Sequence, residues 1–422
     1  MLIEFRVENY RSLRDEQALT LEVQRVGDST DTRPRDVTGH NAKLLPATVI
    51  YGANASGKSN VLTALAFMRE AVIYSHREWE PEGGIPRTPF AWGDKRNAPS
   101  MFETTFLIEG TKYVYGFVVD DEVVLEEWLF AWPNNHKQIW FERDGDVYKY
   151  SEKLKGPNEA AEEVTRSNSL FLSTAVQQSH KQLIPIYSWF RRILTMNTPE
   201  SRYPFWTRRI ASKKLFSSGL VQRTLFPELV DNDDKLIEQI RQLLKLSDLG
   251  IVDIKTIDAE EEHRGRLFQR QQLLLQHQAG DDNSWLELSE ESAGTKTFYQ
   301  MAPLVFHVLN SGGLFLIDEL ESSLHPLLGL AILNLFNSPE SNPRNAQILF
   351  TTHDTNLLGT TLGAPPLRRD QIWFTEKNKE GASQLYPLTD YKPRKAENLE
   401  RGYLQGRYGA IPFLADITQI PE

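Results

Sequence analysis

Apolar residues follow two different spacings along the chain, and each spacing predicts a different kind of element. Over residues 3–8 apolar and charged residues alternate, which is the pattern of a half-buried strand. Residues 101–150 are rich in β-branched and aromatic residues interrupted by short turn sequences, which predicts an antiparallel meander. Residues 151–247 favour helix, with KLIEQIRQLLKL as their clearest amphipathic segment, and we expect them to form a helical insertion.

Short apolar strands alternate with helices in the last third of the chain. LFLI, QILFTT and QIWFTEK have the pattern of buried strands, and an apolar-faced helix precedes the first of them. This alternation is typical of a largely parallel sheet. We therefore expect an α/β fold with a mixed central sheet, flanking helices, the β-meander and the helical insertion. The expected boundaries are 1–150 for an N-terminal lobe, 151–247 for the insertion and 248–422 for a C-terminal lobe.

Composition narrows the classes of function. The chain has 422 residues and a formal charge of −10, which argues against binding a polyanion by bulk attraction. It contains no cysteine, which excludes disulfides, thiolate metal sites and cysteine nucleophiles and favours a reducing, cytoplasmic setting. The longest apolar run, Leu327 to Phe336, is too short to span a bilayer, so we expect no membrane contact.

A glycine-rich loop near the start has the form of a phosphate-binding site. In GANASGKSN, the residues Gly52, Gly57, Lys58 and Ser59 fit the pattern G-x-x-x-x-G-K-[ST], between a predicted strand and a predicted helix. Such glycines let backbone N–H groups turn toward phosphate oxygens at the start of a helix. We expect Lys58 to reach the β- and γ-phosphates of ATP and Ser59 to ligate Mg²⁺.

Two later strands deliver polar residues to the same expected edge of the sheet. Asp318 and Glu319 follow the buried strand LFLI, at the carboxyl end where ligands bind in parallel sheets. Asp318 is expected to hold Mg²⁺ through water, and Glu319 to polarise the attacking water. His353 follows QILFTT, so it should lie beside Glu319 and be able to donate to the γ-phosphate.

A second phosphate-binding surface is predicted at another helix start. Ser292 and Gly294 lie in the segment SAGT, immediately before an apolar-faced helix, where a hydroxyl and bare N–H groups meet the positive helix end. One γ-phosphate does not need two helix ends from a single subunit. An ordinary serine N-cap is the alternative interpretation of the same residues.

Together these motifs resemble the ATP-binding-cassette (ABC) heads of SMC, RecF and repair ATPases. The loop GANASGKSN is similar to that group's GxNxSGKSN, with Asn54, Ser56 and Asn60 in matching places. The resemblance is strongest to the overcoming-lysogenisation-defect (OLD-like) and abortive-infection ATPases, including RloA-like and PARIS-type proteins. VENYRSL, ESAGTK, IDELESSLHP, TTHD, RRDQIWF and YLQGRYGAIP carry it, over roughly residues 1–150 and 250–415.

The resemblance implies an ATP-dependent, head-to-tail homodimer that hydrolyses ATP. In such a dimer Ser292 and Gly294 would contact the partner's γ-phosphate, and Ser322 to His325 would cross the interface. The segment SAGT replaces SGGQ, and His325 replaces the aspartate of transporters and SMC proteins. The sequence offers no convincing Q-loop glutamine, although Gln138 lies in the β-rich region.

The resemblance also implies control of an effector, a nuclease or toxin, in antiphage defence. Residues 60–288 carry no heptads, which excludes the coiled-coil arms of SMC proteins. The chain after His353 is too short for a nuclease domain, so we expect the effector to be a separately encoded partner. Two alternatives stay open: a RecF-like repair ATPase acting on DNA, and an ATP-locked scaffold that sequesters a partner protein.

Residues 191–223 form a local basic patch on this acidic chain. Aromatic residues are interleaved with the charges, which suits a nucleic-acid backbone with stacked bases. An acidic partner protein, or a solvated rim around core aromatics, fits the same composition. The basic residues are Arg191, Arg192, Arg202, Arg208, Arg209, Lys213, Lys214 and Arg223, against Glu200 alone.

Overall fold

The computed structural model describes residues 1–24, 30–198, 238–239, 241–243, 250–263, 266–278, 284–322, 324–361, 363–394 and 397–412. The strands are β1 (Leu2–Glu8), β2 (Gln17–Thr20), β3 (Ala47–Gly52), β4 (Ser100–Ile108), β5 (Thr111–Val119), β6 (Val124–Trp132), β7 (Gln138–Asp144), β8 (Val147–Tyr150), β9 (Ile193–Met196), β10 (Ile251–His263), β11 (Arg266–His277), β12 (Trp285–Glu287), β13 (Leu314–Ile317), β14 (Gln347–Thr351), β15 (Ile372–Lys377) and β16 (Ser383–Pro387). The helices are α1 (Lys58–Tyr74), α2 (Asn158–Glu163), α3 (Phe171–Gln177), α4 (Ile184–Arg191), α5 (Ala293–Ser311), α6 (Pro326–Asn337) and α7 (Leu399–Leu404).

A six-stranded sheet carries the glycine loop. Its strand order is β16, β15, β3, β14, β13, β9. The strands from β15 to β9 are mutually parallel, and β16 pairs with β15 in the antiparallel direction. Every residue of β3, β13 and β14 is buried, as strands covered on both faces require. The α/β fold with a largely parallel central sheet is therefore confirmed.

Helices cover both faces of this sheet. Leu314 and Leu316 of β13 pack in the hydrophobic cluster that contains α1, whereas Phe315 and Ile317 pack in the cluster that contains α5 and α6. Because successive strand residues point to opposite faces, each strand contributes to both clusters. Both faces are thus filled with apolar side chains, and polar side chains can gather only where the strands end.

A seven-stranded antiparallel sheet encloses α1 from its other side. Its strand order is β2, β1, β4, β5, β6, β7, β8. Phe102, Phe106 and Phe117 of this sheet share one cluster with Leu62 and Leu65 of α1. The predicted meander of residues 101–150 corresponds to β4 through β8 and is confirmed. A third, small sheet has the order β10, β11, β12 and contributes to the second cluster.

The predicted helical insertion contains a strand that the sequence analysis did not anticipate. Within residues 151–247, α2, α3 and α4 are followed by β9, which pairs in parallel with β13 at the edge of the six-stranded sheet. In the amphipathic segment KLIEQIRQLLKL, residues 238–239 and 241–243 are helical, and its other residues lie outside the described ranges. The predicted lobe boundaries remain predictions.

None of the helices in the described ranges combines the length and the apolar character that crossing a bilayer requires.

Candidate functional site

The glycine loop connects β3 to α1 through a tight left-handed turn. Gly57 has φ 108°, and a Cβ atom added there would lie 2.2 Å from Ser383 Oγ. Ala55 also has a positive φ of 61°. Both the dihedral angle and the lack of space therefore require glycine at residue 57, immediately before the first helical residue.

The start of α1 presents free backbone donors. Within the described residues, the N–H groups of Gly57, Lys58 and Ser59 donate to no protein acceptor. No acidic side chain lies in the first turn of α1. Unpaired N–H groups at the positive end of a helix form an anion site, so this loop fits a phosphate group.

Lys58 is buried, with 6% of its surface exposed. Its Nζ donates to the carbonyl oxygens of Gly52 at 2.8 Å and Ala53 at 3.0 Å, so the ammonium group lies back over its own loop. Burial lowers the pKa of Lys58, while the nearby carboxylates Asp318 and Glu319 act in the opposite direction. Carbonyl oxygens are weaker partners for an ammonium than phosphate oxygens, so a bound phosphate can compete for Nζ.

A hydrogen-bond network joins the loop to the ends of β13 and β14. Ser59 Oγ donates to Asp318 Oδ1 at 2.9 Å, and Thr351 Oγ1 donates to the same oxygen at 2.6 Å. Thr351 Oγ1 also accepts from the Glu319 backbone N–H at 2.8 Å. The structure thus brings together Ser59 and Asp318, the two predicted metal ligands, at the carboxyl edge of three adjacent parallel strands.

Asp318 and Glu319 differ in exposure although they are neighbours. Asp318 is 6% exposed, whereas Glu319 is exposed and has φ 51°. A positive φ is uncommon for a residue other than glycine and is often found at functional sites. The turn after β13 therefore holds one carboxylate in the hydrogen-bond network and leaves the other accessible.

His353 lies just after β14, at the same edge as Glu319, as its sequence position predicts. Its ring is exposed, and its backbone N–H donates to Glu321 Oε1 at 2.5 Å. Glu321 Oε2 is buried and has no hydrogen-bond partner among the residues that the structure describes. Partial desolvation by neighbouring parts of the chain, although the residue as a whole is exposed, and then the positive charge of Lys58 lower the pKa of His353. The ring is therefore mostly neutral at pH 7. It lies close enough to Lys58 for the charge of the lysine to affect its pKa.

The other predicted residues of the loop have two different surroundings. Asn54 is exposed. Ser56 Oγ lies 2.7 Å from Thr375 Oγ1, and Asn60 Nδ2 donates to Ser12 Oγ at 2.6 Å. Ser56 and Asn60 thus hold the loop against β15 and against the turn after β1.

The sequence analysis missed several of these supporting residues. Ser383 Oγ donates to the Ser56 carbonyl at 2.5 Å and lies 2.7 Å from Ser12 Oγ, so β16 and the turn after β1 meet beside the loop. Ser12 lies within VENYRSL, which the sequence singled out without assigning it a role. Thr351 begins the segment TTHD, which was likewise singled out without a role for this residue, and no local pattern marked Ser383.

The strand β9 also ends at this site. The Asp318 backbone N–H donates to the Met196 carbonyl at 3.0 Å, and Asn197 follows with φ 56°. Gln138 lies instead at the start of β7 in the antiparallel sheet, where its Oε1 accepts a long, 3.4 Å hydrogen bond from Trp140 Nε1. Among the described contacts, none joins Gln138 to the glycine loop.

The second predicted phosphate surface is separate from the first. Ser292 caps α5 by accepting from the Thr295 N–H at 3.1 Å, and it is exposed, while Gly294 is half-buried. In the part of the chain that the structure describes, no hydrogen bond joins Ser292 or Gly294 to residues 52–60. The serine N-cap and an accessible helix start are thus both present.

The remaining predicted segments are only partly described. His325 is exposed and caps α6 by accepting from the Leu327 N–H at 3.3 Å, while Ser323 lies outside the described residues. Arg191 and Arg192 of the basic patch are exposed. The other charged residues of the patch, from Glu200 to Arg223, lie outside the described ranges.

The donor set at the loop fits a magnesium nucleotide. Mg²⁺ is commonly bound by one or two protein oxygens together with phosphate oxygens and waters. Ser59 Oγ and Asp318 Oδ1 supply two such oxygens side by side. Among the described residues, no group of three or more His, Cys, Asp or Glu side chains is arranged to hold a metal by itself. The site therefore suits a metal that arrives with a phosphate ligand.

Comparison with known proteins gives a family and several similar structures. A family model described as "AAA domain, putative AbiEii toxin, Type IV TA system" matches residues 47–359. The sequence matches no curated protein. The matched range includes the glycine loop, both strand-end carboxylates and His353.

Several similar solved structures are heads of SMC proteins. The SMC head domain from Thermotoga maritima is 12% identical with a TM-score of 0.42, covering 92% of this chain and 98% of that one. The Smc head domain from Pyrococcus furiosus, with an extended coiled coil and bound to the C-terminal domain of ScpA, is 12% identical with a TM-score of 0.42, covering 96% and 98%. The Smc head domain from Pyrococcus yayanosii, with a coiled coil and joint, is 12% identical with a TM-score of 0.43, covering 93% and 99%.

Proposed function

The chain belongs to the AAA-domain family whose description names the AbiEii toxin of type IV toxin–antitoxin systems, and on that premise we propose that it hydrolyses ATP as a head-to-tail homodimer. In this function, binding and hydrolysis of ATP control a separately encoded effector, a nuclease or toxin, in antiphage defence. The observation that carries the proposal is the network of Ser59, Asp318 and Thr351 beside a helix start with unpaired N–H groups.

The residues of the site have distinct chemical roles in this proposal. The N–H groups at the start of α1 and the ammonium group of Lys58 bind the phosphates. Ser59 and Asp318 would hold Mg²⁺, which neutralises charge on the β- and γ-phosphate oxygens when bound. Glu319, accessible at the turn after β13, accepts the proton of the attacking water.

His353 completes the chemistry on the side of the γ-phosphate. Because its pKa is lowered, the ring is neutral at pH 7 and carries one N–H that can donate to a phosphate oxygen. Its backbone N–H is already held by Glu321, which fixes the start of the segment after β14. Donation from the ring would stabilise charge as it develops on the transferred phosphoryl group.

The start of α5 supplies the contact between two copies of the chain. Ser292 and Gly294 lie at an accessible helix start, and no described hydrogen bond ties them to the glycine loop of their own chain. Such a helix end favours a negative charge, and the γ-phosphate held by a second copy would provide one. In this arrangement Ser322 and His325, which precede α6, lie at the interface.

The effector and the defence setting rest on the sequence resemblance and on the family description. The family description names a toxin of a toxin–antitoxin system, and the separately encoded effector is inferred from the sequence resemblance. ATP-driven pairing of two heads would give such a partner two states to distinguish.

Phosphate release measured with Lys58→Ala tests the proposal. Loss of this buried ammonium removes a hydrogen bond to a charged group, for which about 1.5–3 kcal/mol is typical. We expect nucleotide affinity to fall by at least about tenfold, with turnover lost in parallel. The matched control Lys379→Ala removes an exposed lysine and should leave both unchanged. Normal nucleotide affinity in Lys58→Ala would refute the assignment of the loop.

A further inference from the structure

The outer face of the antiparallel sheet carries a row of aromatic side chains. Trp128, Phe130 and Trp132 of β6 are half-buried and point away from the core, while Leu129 and Ala131 between them are buried in it. When one face of an antiparallel sheet covers a core, the other face is commonly polar. Strand β6 is instead apolar on both faces over these residues.

Neighbouring strands extend this apolar surface. Ile139 of β7 pairs directly with Phe130 and is 44% exposed, and Val147 at the sheet edge is 61% exposed. A contiguous apolar patch with a polar rim marks an interaction site on a soluble protein. The outer face of the sheet therefore has the character of a docking surface.

A groove of about 480 Å³ runs across this face beside Trp128. Its accessible charges are mainly negative: Glu103, Glu126, Glu142 and Asp144 line it, with Lys149 as the accessible cation. Glu127 and Arg143 also border the groove, but they are buried and paired with each other at 3.8 Å. The open part of the groove thus combines an aromatic floor with an acidic rim.

The ring of Trp128 is held in a fixed orientation. It lies over Gly116, where an added Cβ would be only 2.4 Å from Trp128 Cζ2. Its Nε1 donates to Glu103 Oε2 at 2.9 Å. Glycine at residue 116 thus lets the indole lie against the sheet. The indole borders the groove and would not have to move to contact a ligand there.

The same aromatic row already binds ammonium groups of its own chain. Lys112 Nζ lies 4.3 Å from the centre of the Trp132 ring, and Lys137 Nζ lies 4.0 Å from the centre of the Phe130 ring. Among the cation–π pairs of the described residues, none uses Trp128. Tryptophan is the strongest aromatic partner for a cation.

We propose that this groove docks an arginine- or lysine-rich segment of a partner protein, with one cation over Trp128 and others against Glu126 and Asp144. Charge complementarity selects this occupant. The carboxylates of the rim would repel phosphates, so the occupant is not a nucleic acid. The groove belongs to a different sheet from the glycine loop, and the proposal does not depend on ATP hydrolysis.

Binding of a short fluorescein-labelled peptide of alternating arginine and alanine tests the proposal by fluorescence anisotropy. The variant Glu126→Lys/Asp144→Lys reverses two exposed charges that face each other across β6 and β7. We expect at least about tenfold weaker binding, since like charges replace a charge-assisted contact. The matched control Glu152→Lys/Glu159→Lys makes the same change of net charge at exposed residues elsewhere and should bind within about twofold of the parent.

Two outcomes would overturn the proposal. Equal weakening in the groove variant and the control would mean that the peptide responds only to the net charge of the protein. No binding to the parent protein at low salt would mean that the groove does not accept such a segment.

A second variant tests the role of the indole. Trp128→Leu keeps an apolar side chain over Gly116 and removes the aromatic face. We expect about 2- to 5-fold weaker binding of the same peptide, the size of one cation–π contact. Circular dichroism and the urea midpoint would show that the variant is folded. Unchanged affinity in a folded variant would exclude a cation over Trp128.

Discussion

The starts of α1 and α5 have similar sequences, but the first is surrounded by other parts of the chain and the second is exposed. Each follows a small N-cap residue, Gly57 or Ser292, and offers backbone N–H groups at a positive helix end. The start of α1 is surrounded by its own chain: Lys58 is buried, and Ser59 is bonded to Asp318. The start of α5 has only its own serine cap, and Ser292 is exposed.

In the proposed dimer, each nucleotide site would combine the surroundings of α1 in one copy, the prepared half-site, with the start of α5 in the other copy, the exposed half-site. Around α1, Ser59 and Asp318 are already held in place, so binding requires little reorganisation of these two side chains, whereas Lys58 has to exchange carbonyl oxygens for phosphate oxygens. Around α5, the described residues supply an anion-binding end without the other groups that a phosphate site needs. A second copy of the chain would supply a phosphate to the start of α5. Variants at either helix start therefore test the proposed pairing.

The largest expected effect concerns chemistry at the prepared half-site. Glu319→Gln keeps the size of the side chain and removes the base, so we expect the rate of phosphate release to fall on the order of 10²- to 10⁴-fold. Nucleotide affinity should be retained, because the phosphate-binding groups of α1 are unchanged. Single-turnover hydrolysis and nucleotide binding by calorimetry measure the two quantities. Glu340→Gln, an exposed control, should be fully active.

The same variant distinguishes control of an effector by ATP hydrolysis from an assembly that ATP binding only holds together. If ATP merely locks an assembly that sequesters a partner, Glu319→Gln will trap ATP and retain its biological activity. If hydrolysis controls the effector, that activity will be lost although ATP is bound. Stimulation of ATP hydrolysis by DNA in the unsubstituted protein would instead favour the RecF-like alternative.

The next effect concerns the exposed half-site. Ser292→Arg places a long side chain at the start of α5 while leaving the glycine loop intact. We expect ATP binding by the single chain to persist and ATP-dependent pairing to weaken by at least about tenfold, because the arginine fills the approach of the second copy. Sedimentation velocity with and without ATP measures the pairing. The matched control is Ser289→Arg, at an exposed neighbouring residue outside the helix start, and it should pair normally. Unchanged pairing in Ser292→Arg would show that α5 takes no part in ATP-dependent pairing.

A smaller effect is expected from the network that prepares the first half-site. Thr351 is completely buried and makes two hydrogen bonds, to Asp318 Oδ1 and from the Glu319 N–H. Thr351→Val keeps the volume but leaves both groups without this partner, which should lower the free energy of unfolding by about 1–3 kcal/mol. Urea unfolding measures it. Thr351→Ser, which retains the hydroxyl group, should lose less, and an equal loss in both would attribute the effect to packing.

The meeting of Ser59 and Asp318 beside the glycine loop could be predicted because the signals are local, and the roles of these residues stay predictions. A glycine loop between a strand and a helix, and two acids after an apolar strand, are recognisable within a few residues each. The alternation of strands and helices also predicted the parallel sheet, since buried strands are short and uniformly apolar. The family shown is the AAA-domain family, and the narrower OLD-like assignment stays a prediction.

The missed features depend on contacts between distant parts of the chain. The strand β9 has only four residues, and its place beside β13 is set by pairing that no local pattern reports. Ser12 and Ser383 meet beside the loop although nearly the whole chain separates them. In WLFAW, both faces are apolar, so periodicity could not indicate which face is covered by the core.

The smallest effect tests the electrostatic link between His353 and the loop. The positive charge of Lys58 disfavours a second positive charge on His353, so Lys58→Ala should raise the pKa of His353 toward its ordinary value of 6.5. The carboxylate of Glu321 acts in the opposite direction, so Glu321→Gln should lower that pKa further. Histidine ring signals followed by NMR over a pH series measure both shifts, and Lys379→Ala should cause neither.

The lowered pKa of His353 also makes the free energy of unfolding depend on pH. Between the lowered pKa of His353 and 6.5, the unfolded chain binds more protons at this residue than the folded chain, so the free energy of unfolding rises with pH in that window. Lys58→Ala should flatten this dependence. If the pKa of His353 does not move in Lys58→Ala, the two side chains are not neighbours in solution, and a single pocket formed by the loop and the segment after β14 is excluded.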